Sequence, residues 1–149
     1  MMLACRLRVD GANTSLPGVV ADFVAALADE AGLTSRQAYW LRLATDEITT
    51  NIAHHGYGGR GGVVDIAAEI EQDRLRLWIE DDAPPFDPTG YDPAPRLAVP
   101  PLHREEGGYG LMLAITKVDE FGYEFVGGRN RNTLIMRRGG TNAECPGGS

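Results

Sequence analysis

Cysteine is scarce in this chain. Of 149 residues only Cys5 and Cys145 carry a thiol, and no CxxC pair occurs. Neither has a metal-ligand neighbour at the usual spacing, which argues against a zinc site or a disulfide framework and makes a reducing cytoplasm the expected setting. Long apolar runs are missing too. Nothing approaches the ~18 residues that cross a bilayer, and the N-terminus lacks the apolar region of a signal peptide. Cations are outnumbered, 14 Lys and Arg against 21 Asp and Glu, for a net charge of −7. That balance argues against direct binding to nucleic acid or an anionic membrane, both of which call for a basic surface. No internal repeat interrupts the chain. What remains is the length of one domain, with an ordinary apolar share of 43%.

The apolar residues that are present fall into two periods. Leu3, Cys5, Leu7 and Val9 alternate with Arg6 and Arg8, which predicts a strand with one buried face. Asn13 to Pro17 supplies a helix start. Val20, Phe23, Val24 and Leu27 follow at helical spacing, and Gly32 ends the helix. Thr34 and Gln37 fit a capping box for a second, longer helix that runs to about His55, where Gly56, Gly58 and Gly59 stop it. Val64 to Ile70 and Leu75 to Ile79 alternate as a hairpin about Gln72-Asp73 and end in Glu80-Asp81-Asp82.

Residues 89–106 contain four prolines and little periodicity, which predicts a mobile lid or binding loop. A helix follows Gly107-Gly108-Tyr109-Gly110, with Leu111, Ala114, Ile115 and Val118 on one side and Gly122 closing it. Two last strands, about Tyr123–Val126 and Asn132–Arg137, flank Gly127 to Asn130, and residues 139–149 form a Gly-rich tail read as disordered. The order β-α-α-β-β-lid-α-β-β predicts an α/β two-layer sandwich over residues 1–138.

Three stretches carry chemistry. On the long helix Glu47 and Asn51 are four residues apart and share a face, with His54 and His55 one turn on. A ligand wall and a solvated polar face both fit that pattern. Asp81, at a strand end before Pro84, Pro85 and Phe86, places a carboxylate where it can accept from an amino group; a plain acidic turn also fits. The glycines at 107, 108 and 110 before a helix let backbone amides approach a phosphate; a turn alone would also use them.

Taken together and in this order, Asp46-Glu47-xxx-Asn51-xx-His54-His55-Gly56-Tyr57, Asp81-x-Ala83-x-Pro85-Phe86-Asp87-Pro88 and Gly107-Gly108-Tyr109-Gly110-Leu111 resemble the GHKL (Bergerat-fold) ATP-binding superfamily. Within it the chain is similar to the bacterial anti-sigma factor serine/threonine kinases. The segment Gly127-Gly128-Arg129-Asn130-x-x-Thr133 agrees, and the likeness runs from Leu3 to about Arg138. The resemblance implies a Bergerat fold, in which helices cover one face of a mixed, mostly antiparallel sheet.

Its implications for the site are specific. Asn51 matches the Mg²⁺ ligand and Glu47 the general base. Asp81 matches the aspartate that reads adenine, assisted by Thr133. Gly107, Gly108, Tyr109, Gly110 and Leu111 match the phosphate-holding segment, and Ala83, Pro85 and Phe86 belong to the adenine side. One of His54 and His55 either lines the phosphate pocket or both form a polar helix end. Ala83 and Pro85 stand where the superfamily usually has glycine. The cofactors implied are ATP and Mg²⁺.

The implied activity is transfer of the γ-phosphate to a serine or threonine of an anti-sigma factor antagonist. The implied partners are that antagonist and a sigma factor, and the likeness suggests a homodimer. Two other readings stand beside it. One is a nucleotide-binding anti-sigma or switch module without kinase activity. The other is the catalytic domain of a histidine kinase, which needs a phosphoacceptor histidine on a separate dimerisation helix; His54, His55 and His103 all lie elsewhere, and nothing before residue 34 has the length of a helical hairpin.

Overall fold

A computed structural model describes residues 3–58, 61–90 and 108–139. Five strands form one sheet in the order β1-β2-β3-β5-β4, where β1 is Leu3–Asp10, β2 Val63–Ile70, β3 Arg74–Asp81, β4 Glu120–Val126 and β5 Arg129–Arg137. Among the described residues three α-helices, α1 (Leu16–Ala31), α2 (Ser35–Asn51) and α3 (Gly108–Ile115), accompany it. The two-layer α/β architecture is the one anticipated. The sheet, expected to be mixed and mostly antiparallel, is antiparallel at each of the four pairings among the described residues.

Local sequence dictates most of these elements. Pro17 stands in the first turn of α1, and Gly32 closes the helix in the left-handed conformation at φ 68°. The capping box is complete: Thr34 Oγ1 accepts from the Gln37 amide at 3.1 Å and Gln37 Oε1 from the Thr34 amide at 2.9 Å. The same Gln37 side chain donates to the Arg137 carbonyl, fixing the start of α2 against the end of β5. Gly127 and Gly128 both have positive φ, 61° and 76°, as a two-residue hairpin with primed-turn geometry requires.

Two boundaries differ from expectation. The helix after Gly110 ends at Ile115, and Gly122 lies inside β4 opposite Thr133 rather than capping the helix. The Asp119 amide donates to the Ile135 carbonyl and its carboxylate accepts from the Arg137 amide. Pairing with β5 thus captures residues that helical periodicity alone would have kept. The last two strands accordingly start earlier than anticipated, at Glu120 and Arg129. The lid falls mostly outside the described residues, whose last turn before it is a 3₁₀ turn at Pro88–Gly90. The tail beyond Gly139 lies outside them altogether.

The core lies between the layers. Val20, Val24, Leu41, Ala44 and Ile48 from the helices meet Val64, Ile66, Leu77, Ile79 and Leu134 from the sheet, all nearly inaccessible. Burying side chains of this kind contributes about 1.5–3 kcal/mol each before the entropy of ordering is subtracted. The opposite face of the sheet carries charges in pairs: Arg8 on Asp65 at 2.7 Å, and Arg131 on Glu80 at 2.6 Å. Being partly exposed, such pairs add little stability.

The end of α2 determines the site. The α-helix gives way at Ile52–Gly56 to a π-turn, widening the coil by one residue. Gly56 then passes so close to Ala83 that a Cβ on it would lie 2.9 Å from the Ala83 methyl. Beyond it the Tyr57 hydroxyl donates to the Val63 carbonyl at 2.7 Å and accepts from the Asp82 amide at 2.8 Å. Helix end and strand end are thereby locked together.

This contact generates a stability prediction. Gly56→Ala should cost about 1–3 kcal/mol through overpacking. Adding Ala83→Gly should recover most of that loss, as read from denaturant unfolding of both single variants and the double. Purely additive effects would show that the two residues do not press on each other.

Candidate functional site

Alternation along β3 splits the acidic cluster. Leu75, Leu77 and Ile79 point to the core, so Asp81 does as well, and it is 1% exposed. Glu80 and Asp82 turn outward to Arg129, which reaches Asp82 at 2.8 Å and Glu80 at 3.0 Å. On β5 the register sets Asn130 opposite Asp81 and Asn132 opposite Ile79, on the same inner face. Both asparagines are buried, each 3% exposed.

These groups floor a cavity of about 190 Å³, walled by Ile48, Asn51, Ile52, His55 and Gly56 from the end of α2, by residues 83–86 and Pro88, and by Leu111 of α3. Its walls are largely apolar and its floor is polar, the usual make-up of a site for a small aromatic ligand. A larger groove of about 830 Å³ runs over the other face of the sheet. Arg8, Asp65, Glu80, Arg129 and Arg131 form ion pairs there, and none of the anticipated site residues lines it.

Asn130 organises the floor. Its amide nitrogen donates to Asp81 Oδ1 at 2.9 Å, to the Ala83 carbonyl at 3.0 Å and to the Pro84 carbonyl at 3.2 Å. Its oxygen accepts from the Phe86 amide at 3.1 Å and from the Tyr123 hydroxyl. Asp81 Oδ1 also takes the Ala83 amide at 2.9 Å. Both of these bonds end on Oδ1, which leaves Oδ2 to accept from a ligand. Burial pushes the Asp81 carboxyl above the ordinary carboxylate range, while the bonds from Asn130 and Ala83 pull the other way.

The anticipated residues divide clearly. Asn51, His55, Asp81, Ala83, Pro85, Phe86 and Leu111 share the cavity. Glu47 is not in its lining; its carboxylate stands against the first turn of α3, where a Cβ on Gly110 would lie 2.9 Å from Glu47 Oε2. Glycine is what lets the two helices meet there, and a helix N-terminus favours an anion. Gly108 and Tyr109 open α3, and Gly107 lies outside the described residues. His54 is exposed and is not among the residues lining the cavity.

Thr133 is misplaced by the sequence reading. It pairs with Trp78 and so lies on the outer face, away from Asp81. Asn130 and Asn132 occupy the position proposed for it. The signal was available: counting back by twos from Met136 and Leu134 reaches Asn132 and Asn130, polar residues at core parity.

The donor set fits an adenine nucleotide. A carboxylate oxygen of the buried Asp81 is left for an amino group, and Asn132 Oδ1 is buried with no partner among the described residues. Among the described residues no cluster of three or more His, Cys, Asp or Glu would bind a metal unaided. A magnesium ion at Asn51 would therefore draw its other ligands from phosphates and water, as Mg²⁺ commonly does. Among the described residues no helix is long and apolar enough to cross a membrane.

The family model of the histidine kinase-like ATPase domain matches residues 12–138. No curated protein matches the chain. The chain belongs to the histidine kinase-like ATPase domain family, whose fold binds ATP in kinase-like and ATPase proteins.

Asp81 yields a pH prediction. Because its folded pKa is raised, its contribution to stability is present below the unfolded value, about 3.9. That contribution is lost as pH rises through the folded value. Asp81→Asn keeps an oxygen for Asn130 and Ala83 but removes the buried charge. The variant's melting temperature should match or exceed wild type at pH 7, with the gap closing below pH about 4, while the ATP-induced shift disappears. A variant less stable at pH 7 than at pH 4, relative to wild type, would contradict the assignment.

Proposed function

We propose that this histidine kinase-like ATPase domain is an anti-sigma factor serine/threonine kinase, which phosphorylates an antagonist protein and binds a sigma factor. The observation that carries the reading is the placement of Glu47. Its carboxylate is one helical turn from Asn51, which lines the cavity, and against the N-terminal turn of α3. A hydroxyl acceptor needs a carboxylate at the phosphate end of the nucleotide to take its proton.

Bound ATP with Mg²⁺ supplies the electrophilic phosphorus and neutralises charge on the phosphates. The chain's residues do the rest. Asp81 Oδ2 accepts from the amino group of the base, and the walls formed by Ile48, Ile52 and Leu111 exclude water around the ring. Asn51 offers a hard amide oxygen to the metal. Glu47 holds the proton released by the attacking serine or threonine hydroxyl. His55 borders the cavity and His54 does not, although both are exposed.

Incubation with γ-labelled ATP, Mg²⁺ and antagonist proteins encoded by the same genome tests the reading. A transferred label that survives acid is a serine or threonine phosphate and supports it. A label lost in acid but stable in alkali is a histidine phosphate and would instead make the chain the catalytic domain of a histidine kinase. Tight ATP binding without transfer would leave a nucleotide-dependent binding module.

Two variants separate the roles. Glu47→Gln should bind ATP within a few-fold of wild type, yet lose on the order of 10²–10⁴ in transfer rate. Asn51→Ala should lose the Mg²⁺-dependent part of ATP affinity in calorimetry. Wild-type transfer in the first, or unchanged Mg²⁺ dependence in the second, would remove that assignment.

A further inference from the structure

The first half of α2 carries aromatic rings and cations away from the nucleotide cavity. Tyr39 and Trp40 stand edge to face, their ring centroids 5.0 Å apart. The Arg42 guanidinium lies 5.6 Å from the Tyr39 ring, and Lys117 Nζ lies 5.4 Å from the Trp40 ring. Cation, ring, ring and cation thus form one row across the helical layer. Tyr39 is 49% exposed and both cations are exposed, while Trp40 is half-buried against the core. Among the described residues neither cation is paired with a carboxylate, not even Arg42 with Asp46 one turn on. The arginines on the outer sheet face differ: Arg8, Arg129 and Arg131 each hold one.

The row stands at one end of a seam. Gly110 of α3 meets Glu47 of α2, and Lys117, just past α3, meets Trp40, so the two helices run side by side in opposite directions. Trp40 and Glu47 are seven residues apart and share a face of α2. That spacing is about 10 Å along the helix axis. Leu113, between Gly110 and Lys117, is 45% exposed. The seam therefore has a carboxylate at one end, an aromatic and cationic anchor at the other, and an exposed aliphatic side chain between them. Trp40 and Lys117 are not among the residues that line the cavity.

Charge says what the anchor accepts. The net charge of −7 repels an acidic protein from the molecule as a whole. Two cations without carboxylates, with aromatic rings between them, are a place where such a protein can land. Both keep N–H donors for an incoming carboxylate, and Trp, Tyr and Arg are the side chains that most often dominate binding energy at interfaces. We infer that the row Arg42, Tyr39, Trp40 and Lys117 is a docking face for the phosphoacceptor protein. It takes an apolar, carboxylate-bearing segment of that protein, about 10 Å along α2 from Glu47. The inference rests on the reading that this chain transfers phosphate to a protein hydroxyl. A serine or threonine hydroxyl by itself offers little to recognise, so contacts remote from it select the partner and hold it in place.

The test uses the full chain with Mg²⁺, ATP and the antagonist proteins encoded by the same genome. The variants are Arg42→Glu, Lys117→Glu and Tyr39→Ser. Arg6→Glu, an exposed cation on the outer face of the sheet, makes the same charge change elsewhere. Each of the three patch variants should raise KM for the acceptor protein about tenfold. Their kcat and their ATP affinity by calorimetry should stay at wild-type values, and Arg6→Glu should leave KM in place. Added salt should raise KM of wild type more steeply than that of Arg42→Glu. All the substituted side chains are exposed, so melting temperatures should match wild type. Should Lys117→Glu not fold, Arg42→Glu and Tyr39→Ser carry the test.

Transfer at wild-type KM in the patch variants sinks this inference alone. So does an equal rise of KM in Arg6→Glu, which is the effect of net charge, and so does a loss of ATP affinity in a folded patch variant. A wild-type dimer that dissociates in Arg42→Glu, seen by sedimentation, assigns the face to a second copy and overturns the inference as well. Binding of an antagonist protein without transfer sinks the kinase reading only; the same variants should then lose about tenfold in affinity for that protein, and unchanged affinity would overturn the docking face. Neither binding nor transfer by wild type sinks both.

Discussion

A single buried amide, that of Asn130, holds the cavity floor in one piece. Five hydrogen bonds converge on it, from β3, from the loop at residues 83–86 and from Tyr123 of β4. Asp81 is desolvated, and a lone buried carboxylate would be costly. Asn130 and the Ala83 amide make the burial tolerable by both binding Oδ1. That arrangement orients the remaining oxygen and leaves it unspent. Removing one partner from such a network costs more than the bond itself, because the other groups stay buried and unpaired. The loop that walls the cavity is thus fastened to the sheet by the same residue that positions the carboxylate.

The second constraint is steric. Gly56 against Ala83 and Gly110 against Glu47 are places where the helical layer comes close to its neighbours. Each admits one side chain only because the facing position has none. Ala83, at a position where the superfamily usually has glycine, is accommodated by the glycine across from it. Its methyl becomes part of the cavity wall. The close approach at Gly110 puts Glu47 where its charge meets the positive end of a helix, beside the cavity and outside it.

Much of this was legible before any coordinates. The capping box, the alternation in β2 and β3 and the paired glycines of the last hairpin are local signals, set by residues adjacent in sequence. They located α2, and with it Asn51 and His55. What escaped was decided by tertiary pairing. Gly122 looks like a helix stop until β5 draws Glu120 to Val126 into the sheet. The π-turn at Ile52–Gly56 has no period of its own to read. The motif singles out Thr133 by residue type and says nothing of its parity on the strand. One step along a strand exchanges the two faces of the sheet, and that step separates the cavity from the ion-paired outer surface.

The central claim is that Asn51, Asp81 and the two strand asparagines share one cavity that takes the base and first phosphates of ATP. Side-chain amide signals in a ¹H–¹⁵N spectrum, followed as Mg²⁺ and a non-hydrolysable ATP analogue are added, test it most directly. The account predicts that Asn51, Asn130 and Asn132 shift, together with the backbone amides of Gly56 and Ala83. It also predicts that Arg8, Glu124 and Thr133, on the other face, stay in place. Shifts confined to the outer face, or none at saturating analogue, would contradict it.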